Sequence, residues 1–203
     1  MNTLIKHVLL ILLAPQISMA QDRPSPPASR PLTVSVFSES VSLPTFRGFL
    51  RTLNVGVRIG TEFYYRNRTG SQLIQTLNLG FYHHRTVHSG LYLNTEFGYR
   101  KFLGNLYAEG FIGVGGLGLS QQLRSYRQTE TGDYQPASRF LIRVMPSVSA
   151  GVGYRFRPFT PTPISVYARY ELFGETPFSN RGIPVLPHSA FHIGTRFFLH
   201  PKS

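Results

Sequence analysis

Four segments of this chain place apolar residues at every second position and close on an aromatic beside an arginine: 54–66 (NVGVRIGTEFYYR), 91–100 (LYLNTEFGYR), 148–157 (VSAGVGYRFR) and 192–199 (HIGTRFFL). Strict alternation is the signature of a strand, because successive side chains leave opposite faces of a sheet. One face of each segment is apolar along its length and ends in Tyr or Phe. A strand crossing a lipid bilayer needs such a face, with aromatic side chains gathering where hydrocarbon meets headgroups. Beyond the N-terminus no stretch reaches the roughly 18 apolar residues of a spanning helix, so insertion has to be by a closed sheet, which leaves no backbone group unpaired in lipid.

The N-terminus fits export. Residues 1–20 carry Lys6 and His7, an apolar run over 8–14 and the small-x-small site Ser18-Met19-Ala20, the three regions of a secretory signal peptide. Gln21 rather than Cys follows, which excludes a lipoprotein anchor. Residues 21–31 form a Pro-rich lead-in expected in the periplasm, and 32–203 the barrel domain. The chain has no cysteine, so no disulfide supports it.

The alternation predicts eight strands near 32–43, 52–66, 71–84, 89–100, 105–123, 138–157, 163–175 and 188–199: an all-β, antiparallel, up-and-down transmembrane barrel. Its connections alternate between short turns and longer loops such as 125–137 and 177–187, with one exception, the short 85–88. In bacterial outer-membrane barrels the short turns are periplasmic, so the aromatic-arginine ends are expected at the periplasmic rim. The fifth strand changes phase, with Leu106, Ile112 and Val114 on one parity and Leu117 and Leu119 on the other. A bulge at Gly115-Gly116 is expected to restore it. Pro146 is expected at a bulge or above the membrane.

The net charge of +12 first suggests nucleic acid, but its distribution argues against that partner. There are only three lysines (Lys6, Lys101, Lys202), and many arginines fall on the strand face opposite the apolar one. An eight-stranded barrel has an interior just wide enough for side chains to fill. Glu62, Glu96, Glu109, Arg155, Arg169 and Arg196 are therefore expected to form an ionic plug closing the lumen, because buried charges are costly unless paired. Arg47, Arg51, Arg85, Arg124, Arg127 and Arg181 fall in expected extracellular loops or upper strand ends, where guanidinium forks suit the phosphates of lipopolysaccharide.

Other constellations carry less. Glu171 and Glu175, four apart on one strand, lie roughly 13 Å from each other, too far for paired-carboxylate hydrolysis. His83 and His84 point to opposite faces, and only His84 and His88 could share an ion across a hairpin. His188 is expected inward and Ser189 toward lipid, with no carboxylate to orient His188 or His192, so no hydrolytic dyad is expected. Neither a metal nor a cofactor is expected.

The alternating strands over 32–199, ending in 191–199 (FHIGTRFFL), resemble the superfamily of small outer-membrane β-barrels that includes the OmpA membrane domain and OmpX-like proteins. His200-Pro201-Lys202-Ser203 departs from that pattern by placing the aromatics short of the chain end. The resemblance implies an integral protein of the Gram-negative outer membrane, inserted by the barrel-assembly machinery, and carries no functional residue across. The expected function is non-enzymatic: structural, adhesive or complex-forming, through extracellular loops. The alternatives are a lipid A-modifying enzyme, a narrow porin-like pore, and a soluble lipocalin-type barrel with its apolar face inward.

Overall fold

A computed structural model of the chain describes residues 30–40, 54–83, 88–121, 126–128, 134–136, 140–156, 163–177 and 184–198. Eight long strands close into one antiparallel barrel: β1 (Pro31–Ser40), β2 (Asn54–Arg68), β3 (Ser71–His83), β4 (His88–Leu103), β5 (Leu106–Gln121), β8 (Phe140–Phe156), β9 (Ile164–Glu175) and β10 (Leu186–Phe198). Between β5 and β8 a small hairpin pairs β6 (Tyr126–Gln128) with β7 (Tyr134–Pro136) in a separate sheet, inside a segment expected to be a plain loop. Each long strand pairs with its neighbour along the chain, and β1 closes the ring on β10, with Pro31 opposite Phe198. Closure removes both sheet edges, which unites the up-and-down topology with a lipid surround. The expected signal peptide and nearly all of the lead-in lie outside the described residues.

The two faces separate by chemistry. Val36, Val57, Leu79, Leu93, Ile112, Val148, Val152 and Ile193 point outward and are about half exposed or more, whereas Arg58, Glu62, Glu96, Arg169 and Arg196 point inward and are buried. A soluble barrel has the opposite arrangement, which removes the lipocalin-type alternative. In β1 the inward face is Thr33, Ser35, Phe37 and Glu39, and the outward face becomes polar at Ser38. The apolar pattern lapses there in sequence because both faces carry polar side chains near the end of the strand.

The start of β1, the end of β10 and the tight turns share one end of the barrel. Thr69-Gly70 joins β2 to β3, and Gly104-Asn105 joins β4 to β5 with Gly104 at φ 66°, a left-handed conformation that glycine adopts without a Cβ penalty. The Gly70 carbonyl accepts from the Phe102 N–H (3.0 Å) and the Asn105 carbonyl from the Arg155 N–H (2.8 Å), so each turn is tied to the neighbouring strand. The connections from β1 to β2, β3 to β4, β5 to β8 and β9 to β10 leave from the opposite end, the one from β3 to β4 being short.

One local expectation needs correction. No bulge lies at Gly115-Gly116: the pairing of β5 with β4 and with β8 runs unbroken through both glycines. Leu117 and Leu119 are instead inward, fully or almost fully buried among Phe37, Tyr82, Tyr92, Met145, Phe173 and Ala190. The phase changes because the lumen itself turns apolar near the loop end. The register shift lies in β2, between Tyr64 and Arg66. Pro146 sits opposite Val114 without a bulge, where continuous β8–β9 pairing stops at Ser147 and resumes only at a Val144–Thr176 bridge.

Glycines on the inward face make room for rings. An ideal Cβ on Gly80 would lie 2.1 Å from Cζ of Tyr92, whereas on the outward Gly110 nothing comes nearer than 3.9 Å. Gly80→Ala should therefore destabilise the barrel by about 1–3 kcal/mol through overpacking, and Gly110→Ala should stay within about 0.5 kcal/mol. Guanidinium unfolding in detergent micelles checks this; equal losses at the two sites would contradict the assignment of faces.

Candidate functional site: a charge ladder through the lumen

The inward side chains meet as a connected ladder of ion pairs. Glu62 accepts from Arg100 (Nη2–Oε1, 2.8 Å), from Arg196 (Nε–Oε1, 2.7 Å) and from the Tyr64 hydroxyl (2.7 Å). Glu109 accepts from Arg100 Nε (2.8 Å) and Arg169 Nη2 (2.7 Å) and lies 3.4 Å from Arg196 Nη2. Arg169 continues to Glu96 (3.1 Å), Glu96 to Arg58, and Arg58 to Glu171 (2.7 Å). Thr76 and Asn78 donate to Glu96, and Gln72 accepts from Arg100. Four arginines thus face four glutamates, all buried, and the group is neutral as a whole. Low dielectric strengthens each attraction and makes an unpaired member expensive, so the ladder is stable only when complete.

Beyond Glu171 the ladder ends on histidine. His192 Nε2 lies 3.0 Å from Glu171 Oε2, its Nδ1 lies 3.4 Å from Ser35 Oγ, and its ring rests on Phe37 with centroids 4.6 Å apart. The apolar layer of Phe37, Tyr82, Tyr92, Leu117, Leu119, Met145, Phe173 and Ala190 follows. Toward the loop end a second group forms: His188 Nδ1 is 2.7 Å from Glu39 Oε1, and its Nε2 is 3.7 Å from Glu175 Oε2. Phe173 stacks on this imidazole with centroids 4.7 Å apart, and Arg143 Nε reaches Glu175 Oε1 at 3.4 Å. Arg143 also donates to the Pro177 carbonyl, pinning the start of the β9–β10 connection.

Five of the six residues expected in the plug are brought together: Glu62, Glu96, Glu109, Arg169 and Arg196. Arg155 is not among them. Its guanidinium lies 4.2 Å from the centre of the Phe102 ring, and it makes no ion pair among the described residues. The register sets Gly151 of β8, not Arg155, beside Glu109, and Arg155 lies beyond it at the level of the β4–β5 turn. Arg100 was missed, although it is 1% exposed and holds both Glu62 and Glu109. Its parity with Asn94 and Glu96 was the available signal.

Both histidines prove to have carboxylate neighbours, correcting the expectation that neither does. Ser189, expected against lipid, is fully buried, and it lies on the opposite strand face from His188. Ser35, His192 and Glu171 do line up in the order of a hydrolytic relay. Ser35, however, is buried in the lumen, and the 3.4 Å approach is longer than a working nucleophile–base hydrogen bond. The exposed His83 pairs through Nδ1 with Ser89 Oγ (2.8 Å). The shared His84–His88 ion falls outside what is described, and no metal-binding group occurs among the described residues. Arg47, Arg51, Arg85, Arg124 and Arg181 lie outside the described residues, and Arg127 is placed on β6 by its backbone alone.

No protein-family model and no curated protein sequence matches the chain. Among solved structures it is similar to Neisserial surface protein A, at 15% identity over 84% of this chain and 96% of that one, with a TM-score of 0.50. It is also similar to the outer membrane enzyme PagL (11% identity, 82% and 97% covered, TM-score 0.45). Ail, the attachment invasion locus protein of Yersinia pestis, matches at 11% identity, with 84% and 97% covered and a TM-score of 0.45. At these identities the likeness is one of fold.

The ladder gives a direct test. Glu62→Ala strands Arg100 and Arg196 beside one fewer carboxylate and should cost about 3–5 kcal/mol of unfolding free energy. Arg155→Gln, which loses only a ring contact, should cost about 1 kcal/mol or less. Denaturant titration of the two variants in micelles checks the ranking, and the reverse order would contradict the ladder. With lipid-compatible side chains outside, a neutral charge ladder inside and closure of the first strand on the last, the chain is a small eight-stranded β-barrel of the outer-membrane type.

Proposed function

We propose that this protein is a non-enzymatic, non-conducting integral barrel of the bacterial outer membrane that acts through the loops at the end opposite its termini. The observation that carries this reading is the filled lumen: a paired Arg–Glu ladder followed by a buried aromatic and aliphatic layer. A water-filled path needs unoccupied cross-section, and in an eight-stranded barrel side chains take it up. The apolar layer adds a second seal, since water gains no hydrogen bonds by entering it.

Export by the signal peptide at 1–20 and insertion by the barrel-assembly machinery through the terminal strand complete the reading. The loop-end arginines Arg47, Arg51, Arg85, Arg124, Arg127 and Arg181 are assigned to the phosphates of lipopolysaccharide, against which a guanidinium makes paired hydrogen bonds. The role is structural, adhesive or that of an envelope-complex subunit. Catalysis on lipid is disfavoured because Ser35 and His192 are sealed in the lumen, out of reach of an acyl chain.

In planar bilayers the purified barrel should give no stable channels; sustained nanosiemens conductance would overturn the closed-lumen reading. Replacing the six loop-end arginines by glutamine should weaken retention of the micellar barrel on immobilised lipopolysaccharide. Undiminished retention would remove the lipopolysaccharide assignment and leave the closed lumen standing.

A further inference from the structure

The shift in β2 has a consequence for charge. In that strand Arg58 and Glu62 face the lumen, and continued alternation would send Arg66 and Arg68 inward behind them. The register slips between Tyr64 and Arg66, so Arg66 pairs with Leu73 and Arg68 with Ser71. Bulges re-aim side chains in this way. On β3 and β4 the pairing continues from Leu73 to Tyr99 and from Ser71 to Lys101. These partners share the outward parity of Leu77, Leu79, Phe97 and Tyr99. The bulge therefore lays two rows on the outer wall at the turn end: Arg66–Leu73–Tyr99 and Arg68–Ser71–Lys101. Arg30 joins them from the start of β1, its guanidinium 4.8 Å from the centre of the Phe63 ring.

All four cations are exposed, and none has a carboxylate partner among the described residues. The reason is global. Every described carboxylate, Glu39, Glu62, Glu96, Glu109, Glu171 and Glu175, is buried in the lumen, so none is left to neutralise the outer wall. Around the cations lie Tyr65 and Tyr99, 43% and 47% exposed, and the exposed Leu103 at the end of β4. The charges therefore stand at the margin of the apolar band, where long basic side chains run their stems along apolar surface and lift their heads to the interface.

We propose that Arg30, Arg66, Arg68 and Lys101 form a binding surface for the headgroups of anionic phospholipids in the leaflet facing the termini and short turns. Guanidinium forks match phosphodiester oxygens, and a headgroup of net negative charge is selected because a zwitterionic one brings its own cation to the same surface. The rows face sideways from the wall rather than down the barrel axis, which suits a neighbouring lipid better than a soluble polyanion arriving from the aqueous side. The inference rests on the membrane-inserted reading of the barrel.

The test reconstitutes the full barrel in mixed phosphatidylcholine–phosphatidylglycerol vesicles and measures, by electron spin resonance, the association of spin-labelled phosphatidylglycerol relative to spin-labelled phosphatidylcholine. The expected result is severalfold preference for phosphatidylglycerol at low salt, lost at high salt. It should fall to parity in the R66Q/R68Q/K101Q variant and persist in R66K/R68K. Parity in the unmodified protein overturns the proposal, as does a preference that survives the glutamine variant or high salt. Binding of heparin by the micellar barrel, lost in R66Q/R68Q/K101Q but without any lipid preference in vesicles, assigns the surface to a soluble polyanion and also overturns it. If the glutamine variant fails to show the heat-modifiable migration of a folded barrel, the salt dependence of the unmodified protein decides. Failure of the unmodified protein to insert into vesicles at all contradicts the membrane reading instead, and the two failures are thereby separate.

Discussion

The pairing of Arg58, Arg100, Arg169 and Arg196 with Glu62, Glu96, Glu109 and Glu171 is the interaction on which the rest of this barrel depends. A sheet with an apolar outer face has to place its polar side chains inside, and in eight strands the inside is too narrow for bulk water. Charges held there survive only in complete sets. The ladder joins side chains of β2, β4, β5, β9 and β10, strands distant in sequence, and so couples opposite walls that backbone pairing links only around the circumference. A helix bundle or soluble barrel draws its stability from an apolar core; here most of the apolar surface faces outward, and the polar ladder with one aromatic layer supplies the interior packing.

The same arrangement accounts for the charge outside. Carboxylates are few in this chain, and those described are all turned inward and matched. Among the described residues Arg30, Arg66, Arg68 and Lys101 stand exposed on the outer wall without a carboxylate partner, which orients their electrostatic role toward phosphate. Neisserial surface protein A shares this kind of fold. What separates such barrels lies in the surfaces that the strands present.

Face, strand number and the grouping of loops were legible in the sequence because period two is a local signal. The aromatic-arginine endings were legible too, but as two superposed messages. Adjacent residues leave opposite faces, so Tyr99 and Arg100 report an outward ring and an inward cation rather than one rim feature. Arg155 stands outside the plug because depth counted from strand ends ignores the register between strands, which sets Gly151 beside Glu109 and leaves Arg155 nearer the turns. The carboxylates beside His188 and His192 were invisible for a topological reason. Glu39 reaches His188 only through the closure of β1 on β10, across a separation of 149 residues, and strand one carried the faintest pattern. Leu117 and Leu119 read as a slipped register because nothing local announces that the lumen becomes apolar near the loops. The bulge at Tyr65, lacking glycine or proline, left no mark at all.

The central claim is that alternate residues of one strand meet lipid and a sealed lumen. The absence of cysteine makes it directly measurable, since each introduced thiol is unique. Single substitutions Ala150→Cys and Val148→Cys on the outer face, and Ser149→Cys and Ser35→Cys on the inner, change side-chain size little. In proteoliposomes a lipid-soluble maleimide should label positions 148 and 150, and neither it nor a charged thiosulfonate reagent should label positions 149 and 35 until the barrel is unfolded. Rapid reaction of the charged reagent at 149 or 35 in the folded protein would mean a water-filled lumen and contradict the account.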